Sequence, residues 1–219
     1  MKIGIEEHAL LYGLLVRNAC AELGEEEGKA VMAEATKHYG RCRGKRMKES
    51  ALRLGYGEST DAYMLCGEWQ GEPGENRSEL FFDPDSVRSE VQVCKWCETW
   101  KKYDLMSYGP LYCQYIDKAI AEGFDGDFTL YVNSILSAGD PVCCFVWDRP
   151  ADQNEIAEKR KSQTESLIRP FSFHCRELLA CTKDILDRKN QAMTEKILAG
   201  TENDFRKIHP EAAEIIFAS

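Results

Sequence analysis

Apolar positions in residues 5–23 recur at helical spacing, with Leu11, Leu14, Leu15 and Ala19 on one stripe, and Gly24 closes the run. A second helix is predicted from Glu25 to about Leu54. Glu25, Glu26 and Glu27 fill its first turn, where negative charge suits the positive end of a helix dipole, and Gly55 and Gly57 end it. Gly40, Gly44, Met47 and Ala51 share a face of that helix, so a second backbone can approach closely there. Residues 60–69 then read as a strand, residues 71–76 as a turn rich in Gly, Pro and Glu, and residues 80–82 as part of a further strand. Residues 89–94 alternate, with Val91 and Val93 to one side and Glu90, Gln92 and Cys94 to the other.

Trp96, Trp100 and Tyr103 return to helical spacing. Pro110 suits the first turn of the next helix, whose broad apolar surface is Leu111, Tyr112, Tyr115, Ile116, Ala119 and Ile120 up to Gly123. Residues 128–136 and 142–147 read as antiparallel strands joined by a Gly-Asp-Pro turn, and residues 148–161 as a polar, partly helical connection. One long helix is predicted over 172–198, with His174, Leu178, Cys181 and Ile185 on its inward stripe, and a shorter helix follows. Strands in the middle with helices at both ends predict an α+β fold, an antiparallel sheet with helices packed on it. The length suits a single domain, helical over 1–57, mixed over 58–148 and helical over 149–219.

Composition is that of an ordinary globular protein, 43% hydrophobic and 30% charged, and a net charge of -9 argues against nucleic acid or an anionic membrane surface as the main partner. Glu6 and Glu7 stand where an export signal carries positive charge, and no run approaches the roughly 18 apolar residues that cross a bilayer. A cytoplasmic protein acting on a small molecule is the expectation, with homo-oligomerisation left open. Ten cysteines in a reducing compartment call for a role other than disulfides. Only Cys94 and Cys97 form a Cys-x-x-Cys, with no second copy and no His pair at zinc-finger spacing, so the sequence names no metal ligand and no cofactor. Cys20, Cys42, Cys66, Cys175 and Cys181 read as small buried hydrophobes.

Candidate chemistry follows from which side chains share a face. Cys113 and Asp117, four residues apart, point the same way from a surface of Leu, Tyr and Ile. A carboxylate there either caps or pairs with a neighbour, or it orients a substrate amidine and activates water. On the strand after Pro141, Cys143, Phe145 and Trp147 take one face and Val142, Cys144 and Val146 the other, so the adjacent thiols cannot both serve one site. His174 could assist a thiolate, although a lone His on an apolar stripe is more often a hydrogen-bonded core residue. The aromatic residues Trp96, Trp100, Tyr112, Phe145 and Trp147 either line a cavity or make the core.

Tyr108 to Phe124, reading YGPLYCQYIDKAIAEGF, and Gly139 to Trp147, reading GDPVCCFVW, resemble the L-2-amino-thiazoline-4-carboxylic acid hydrolases. The likeness covers residues 30–180 and includes His38 to Gly44 (HYGRCRG), Cys94, Tyr112, Cys113, Asp117 and Phe173-His174-Cys175. Doubling of the thiol at Cys143-Cys144 and the extra Cys97 depart from the simpler pattern; the likeness selects Cys143. The implied reaction is ring opening of 2-amino-thiazoline-4-carboxylate to a carbamoyl-cysteine. The resemblance implies Cys113, Asp117, Cys143 and His174 as catalytic residues, with Arg41, Arg43, Tyr39, Cys94 and Tyr112 binding substrate. The hairpin alone also resembles the 4-vinyl reductase type of small-molecule-binding domain, and on that reading the protein is a non-enzymatic binder or sensor.

Overall fold

A computed structural model describes residues 2–218. Among them are nine α-helices and one four-stranded antiparallel sheet: α1 (Ile5–Leu23), α2 (Glu25–Arg53), α3 (Thr60–Leu65), β1 (Asn76–Phe82), β2 (Val87–Cys94), α4 (Lys95–Lys102), α5 (Gly109–Phe124), β3 (Leu130–Ser134), β4 (Cys143–Trp147), α6 (Gln153–Ser162), α7 (Phe171–Asp187), α8 (Gln191–Ile208) and α9 (Pro210–Ile216). The α+β class expected from the sequence is the class observed. Two expected elements differ. Residues 60–69 are a helix rather than a strand in their first half, because the Ser59 hydroxyl accepts the Ala62 N–H and caps α3. The long C-terminal helix is two helices, because the Asn190 side chain accepts the Met193 N–H and starts α8 anew.

The chain forms two compact units. One comprises residues 1–39, 95–115 and 170–219, and every element described in it is a helix. Its core is α1, whose Ile5, Ala9, Leu10, Leu11, Leu14 and Leu15 are fully buried and which packs against α4, α7 and α8. Burial on every side of α1 explains the long apolar run there, since a helix hydrophobic all round belongs in an interior. Trp100 closes the core from α4, its indole N–H bonded to the Ala9 carbonyl at 2.9 Å.

The other unit, residues 40–94 and 116–169, holds the sheet in the order β1-β2-β4-β3. Register pairs share a face, so Cys143 opposite Val91, Phe145 opposite Ser89, and Trp147 opposite Val87 and Leu130 define one side. Val87, Ser89, Leu130 and Cys143 on that side are buried, whereas Tyr131, which pairs with Val146, is exposed on the other. Tyr63 of α3 lies edge-on against Phe124 of α5 and Phe128, and is tilted over Trp147, which seats the helices on the buried face. The second half of α2 crosses α5 at near backbone contact. A Cβ at Gly44 would stand 2.1 Å from the Ile120 carbonyl, and one at Gly40 2.6 Å from the Ala119 Cβ, so only glycine fits the face singled out in the sequence.

Candidate functional site

Asp117 is carried inward by α5 within the sheet-bearing unit. Its residue keeps partial solvent contact, yet burial among protein atoms pushes the carboxyl from 3.8 up to about 6, against the opposing pull of the Arg43 guanidinium. Tyr63 lies within reach of its charge: burial, reinforced by Asp117, raises its phenol far above the usual range, so the ring presents a permanent O–H. Trp147 brings a buried indole N–H that faces Tyr63 without making a hydrogen bond of normal geometry.

Arg43 is buried at 5% exposure, and its Nε stands 3.6 Å from Oε2 of Glu68, itself 4% exposed. Glu68 is gripped from the other side by Arg46 through two bonds, Nε to Oε1 at 2.9 Å and a second to Oε2 at 3.2 Å. Charges therefore alternate Arg46, Glu68, Arg43, Asp117, and the row begins in a surface hollow of about 230 Å³ lined by Arg46, Arg53, Glu68 and Arg169. Pairing the buried Arg43 with the buried Glu68, and Glu68 with the half-buried Arg46, lowers the cost each charge would carry alone. Arg41, two residues from Arg43, turns outward to Glu122 at 3.1 Å and forms an exposed ion pair.

Cys143 opens β4 and is buried. The hairpin that presents it is held by three bonds: the Asp140 carboxylate accepts the Ile135 N–H at 2.7 Å, the Ser134 hydroxyl donates to the Val142 carbonyl at 2.8 Å, and the Leu136 N–H is aimed at the Cys143 sulfur at 3.2 Å. Leu136 begins the 3-10 turn Leu136–Ala138, and Gly139 follows it in the left-handed region at φ 97°. This accounts for the Gly-Asp-Pro spelling: glycine allows the backbone turn and aspartate takes up a loop N–H. Cys144, on the opposite face, is half-buried, as is Cys94 at the end of β2.

In the helical unit, the Trp96 indole N–H donates to Nδ1 of His8 at 3.2 Å, and the Tyr39 hydroxyl lies 3.3 Å from both Nε2 of His8 and Nδ1 of His174. All four side chains are buried. An indole N–H can only donate, so Nδ1 of His8 is an acceptor and its proton resides on Nε2. Nε2–H then donates to Tyr39, and the same hydroxyl bonds to Nδ1 of His174. Tyr112 packs edge-on against Tyr12, with ring centroids 4.7 Å apart, and Cys113 is half-buried on the same helix. Sequence reading had Tyr39 and His174 but missed His8, whose only signal was a polar residue inside the apolar run of α1.

The remaining cysteines behave as the sequence suggests. The ten form no disulfides, and Cys20, Cys66, Cys175 and Cys181 are buried while Cys42 is half-buried. Burial pushes the Cys20 and Cys66 thiols up to about 11, and Cys175 further, so these sulfurs are poor nucleophiles.

Within one unit the scaffold thus holds an embedded carboxylate near a guanidinium and a buried thiol. The chain belongs to the L-2-amino-thiazoline-4-carboxylic acid hydrolase family, whose model matches residues 4–147. That span contains Asp117, Arg43, Cys143 and His8, while His174 lies beyond it. No curated protein and no solved structure matches the chain. No described helix is long and apolar enough to cross a membrane.

Proposed function

We propose that the protein hydrolyses a cyclic amidine bearing a carboxylate, of the 2-amino-thiazoline-4-carboxylate type, in a recess beside Asp117. One observation carries the reading: Asp117 is embedded, partly open and raised to about 6, beside Arg43. A carboxylate with that value is mostly ionised at neutral pH, yet basic enough to take a proton, which is the compromise a general base needs. Its two oxygens match the paired N–H groups of an amidine, and Arg43 supplies the cation that a substrate carboxylate seeks.

In the reaction Asp117 takes a proton from water as its oxygen adds to C2 of the ring. The C2–S bond then breaks, Asp117 returns that proton to the departing sulfur, and the proton left on the added oxygen passes to the ring nitrogen, so that the oxygen becomes the carbonyl of a carbamoyl-cysteine. One water is consumed and no other reactant is needed. A second route is supported by the Leu136 N–H directed at Cys143, which places positive potential at that sulfur. On this route the Cys143 thiolate attacks C2 and expels the ring sulfur, and water releases the product from the enzyme.

The test is incubation of the purified protein with the thiazoline and a panel of cyclic amidines, reading products by mass for a gain of one water. Asp117→Asn lowers the rate about 10²–10⁴-fold if water attacks; Cys143→Ser does so if the thiol attacks. Binding without turnover on every substrate favours the sensor reading, and full activity of both variants removes this recess as the active site.

A further inference from the structure

Within the sheet-bearing unit, β1 lies at one edge of the sheet and pairs with β2 alone. The irregularity beside Arg77 and Ser78 places the extra residue, Gln92, on β2, so the seven residues of β1 run on unbroken and present a regular row of backbone donors and acceptors along the open edge. Arg77, Ser78, Glu79 and Leu80 are exposed in succession, and Leu80 keeps 46% of its surface. Neighbouring residues of a strand point to opposite faces, so this stretch is open on both. The other edge offers less: β3 has five residues, and its pairing with β4 shifts register between Val132 and Ser134.

Charge on an edge strand ordinarily keeps it from pairing, and the order of the charges on β1 decides what can overcome this. Arg77 and Glu79 are two residues apart and share the face opposite Cys143. Among the described residues neither belongs to an ion pair. Across the ladder from Glu79 stands Glu90, of like charge and already bonded to Arg88. When a strand pairs antiparallel with its own copy across a twofold axis, one residue meets itself and the residues flanking it meet each other. Centred on Ser78, the pairing sets Arg77 of each copy opposite Glu79 of the other, at two places. Centred on Arg77 or on Glu79, it brings like charges together at the axis. Centred on Leu80, it sets Glu79 against Phe81. Only the first register gives both Arg77 and Glu79 an opposite charge, so the stretch Asn76-Arg77-Ser78-Glu79-Leu80 is self-complementary there.

We propose that β1 is a dimerisation edge: two copies of the chain join β1 to β1 about Ser78, extending one sheet across both, with Arg77 and Glu79 as reciprocal ion pairs. The contact uses the same edge of each copy and therefore closes at two. None of these residues takes part in the proposed hydrolysis, so the two readings stand or fall separately.

The test is sedimentation equilibrium of the full-length protein from about 1 to about 100 μM, a span suited to an interface of modest area. A reversible dimer is expected. Glu79→Arg sets cation against cation at both pairs and should weaken association about 10-fold or more. Arg77→Glu combined with Glu79→Arg restores opposite charges and should return association to that of the parent. Both positions are exposed, so the variants keep the fold, which circular dichroism checks. A protein monomeric throughout, a dimer that Glu79→Arg leaves as tight, one that the double variant does not restore, or assembly beyond two copies overturns the proposal, as does a different co-purifying polypeptide on the β1 edge in place of a second copy.

Discussion

Replacing Asp117 by Asn should make the protein more stable at neutral pH while removing its activity. The carboxyl rises from 3.8 in the unfolded chain to about 6 in the fold, because burial outweighs the attraction of Arg43. A folded-state value above the unfolded one means that the native state binds the proton more tightly. Stability from this group is therefore fully present below pH 4 and is lost as pH rises through 6. At ~1.4 kcal/mol per pH unit of difference, ionised Asp117 costs the fold about 3 kcal/mol at pH 8, and its partial solvent contact reduces this to roughly 1–3 kcal/mol. Asn is nearly isosteric with the protonated acid and carries no charge. The variant should gain that amount at pH 8, or roughly 2–12 °C in Tm for a chain of this size. The gain should shrink toward zero by pH 4. Urea denaturation of both proteins at several pH values between 4 and 8 measures it. An Asn variant less stable than the parent at pH 8, or a gap that is the same at pH 4 and 8, would refute the claim that Asp117 is held ionised against its environment.

Three further outcomes follow from the same geometry. Gly44→Ala places a Cβ 2.1 Å from the Ile120 carbonyl, so instead of the ~1 kcal/mol gain in helix propensity it should cost about 1–3 kcal/mol by overpacking, read from the denaturation midpoint. Tyr39→Phe deprives His8 and His174 of their shared hydroxyl and should destabilise the protein by about 1–3 kcal/mol; an unchanged midpoint would mean that the shared hydroxyl is not part of a structural bond network. Asp140→Ala removes the acceptor of the Ile135 N–H and should loosen the hairpin over Cys143, so that alkylation of Cys143 by iodoacetamide, followed by peptide mass mapping, becomes faster than in the parent.

What the sequence revealed depended on how local each signal was. The helical stripe of α1, the acidic start of α2 and the Gly-Asp-Pro hairpin are written within a few residues, and each forms where expected. The glycine face of α2 was legible for the same reason, although its partner, α5, was not. Residues 60–69 misled because a short apolar run fits either period, and the deciding residue, Ser59, lay just before it. The break at Asn190 has no Gly or Pro to announce it, only a side-chain cap. At the candidate site, Asp117 was visible as a carboxylate on an apolar helical face. Arg43 was distinguished from Arg41 only by the fold, which buries the first and exposes the second. His8, 31 residues from Tyr39, which in turn lies 135 from His174, belongs to a contact that no local pattern encodes.

The two compact units treat buried polarity differently, and that contrast supports the proposed place of the chemistry. In the helical unit the buried histidines, tyrosine and tryptophan hydrogen-bond to one another, an arrangement that costs little and fixes side-chain orientation. The sheet unit instead keeps a carboxylate where burial opposes its charge, leaves an indole N–H of Trp147 without a hydrogen bond, and sets a buried guanidinium alongside. Folding alone favours Asn or Leu at position 117, since either removes the opposition. Such a conflict between local stability and residue choice is expected where a ligand completes the electrostatics, because a bound amidine supplies the positive charge and the N–H groups that Asp117 lacks in the free protein. The same reasoning sets the order of the two hydrolytic routes. Cys143 sits in a hairpin whose bonds are largely satisfied and would persist without catalysis, whereas at Asp117 the Arg43 guanidinium offsets the charge only in part, and on the proposed reading the substrate supplies the rest.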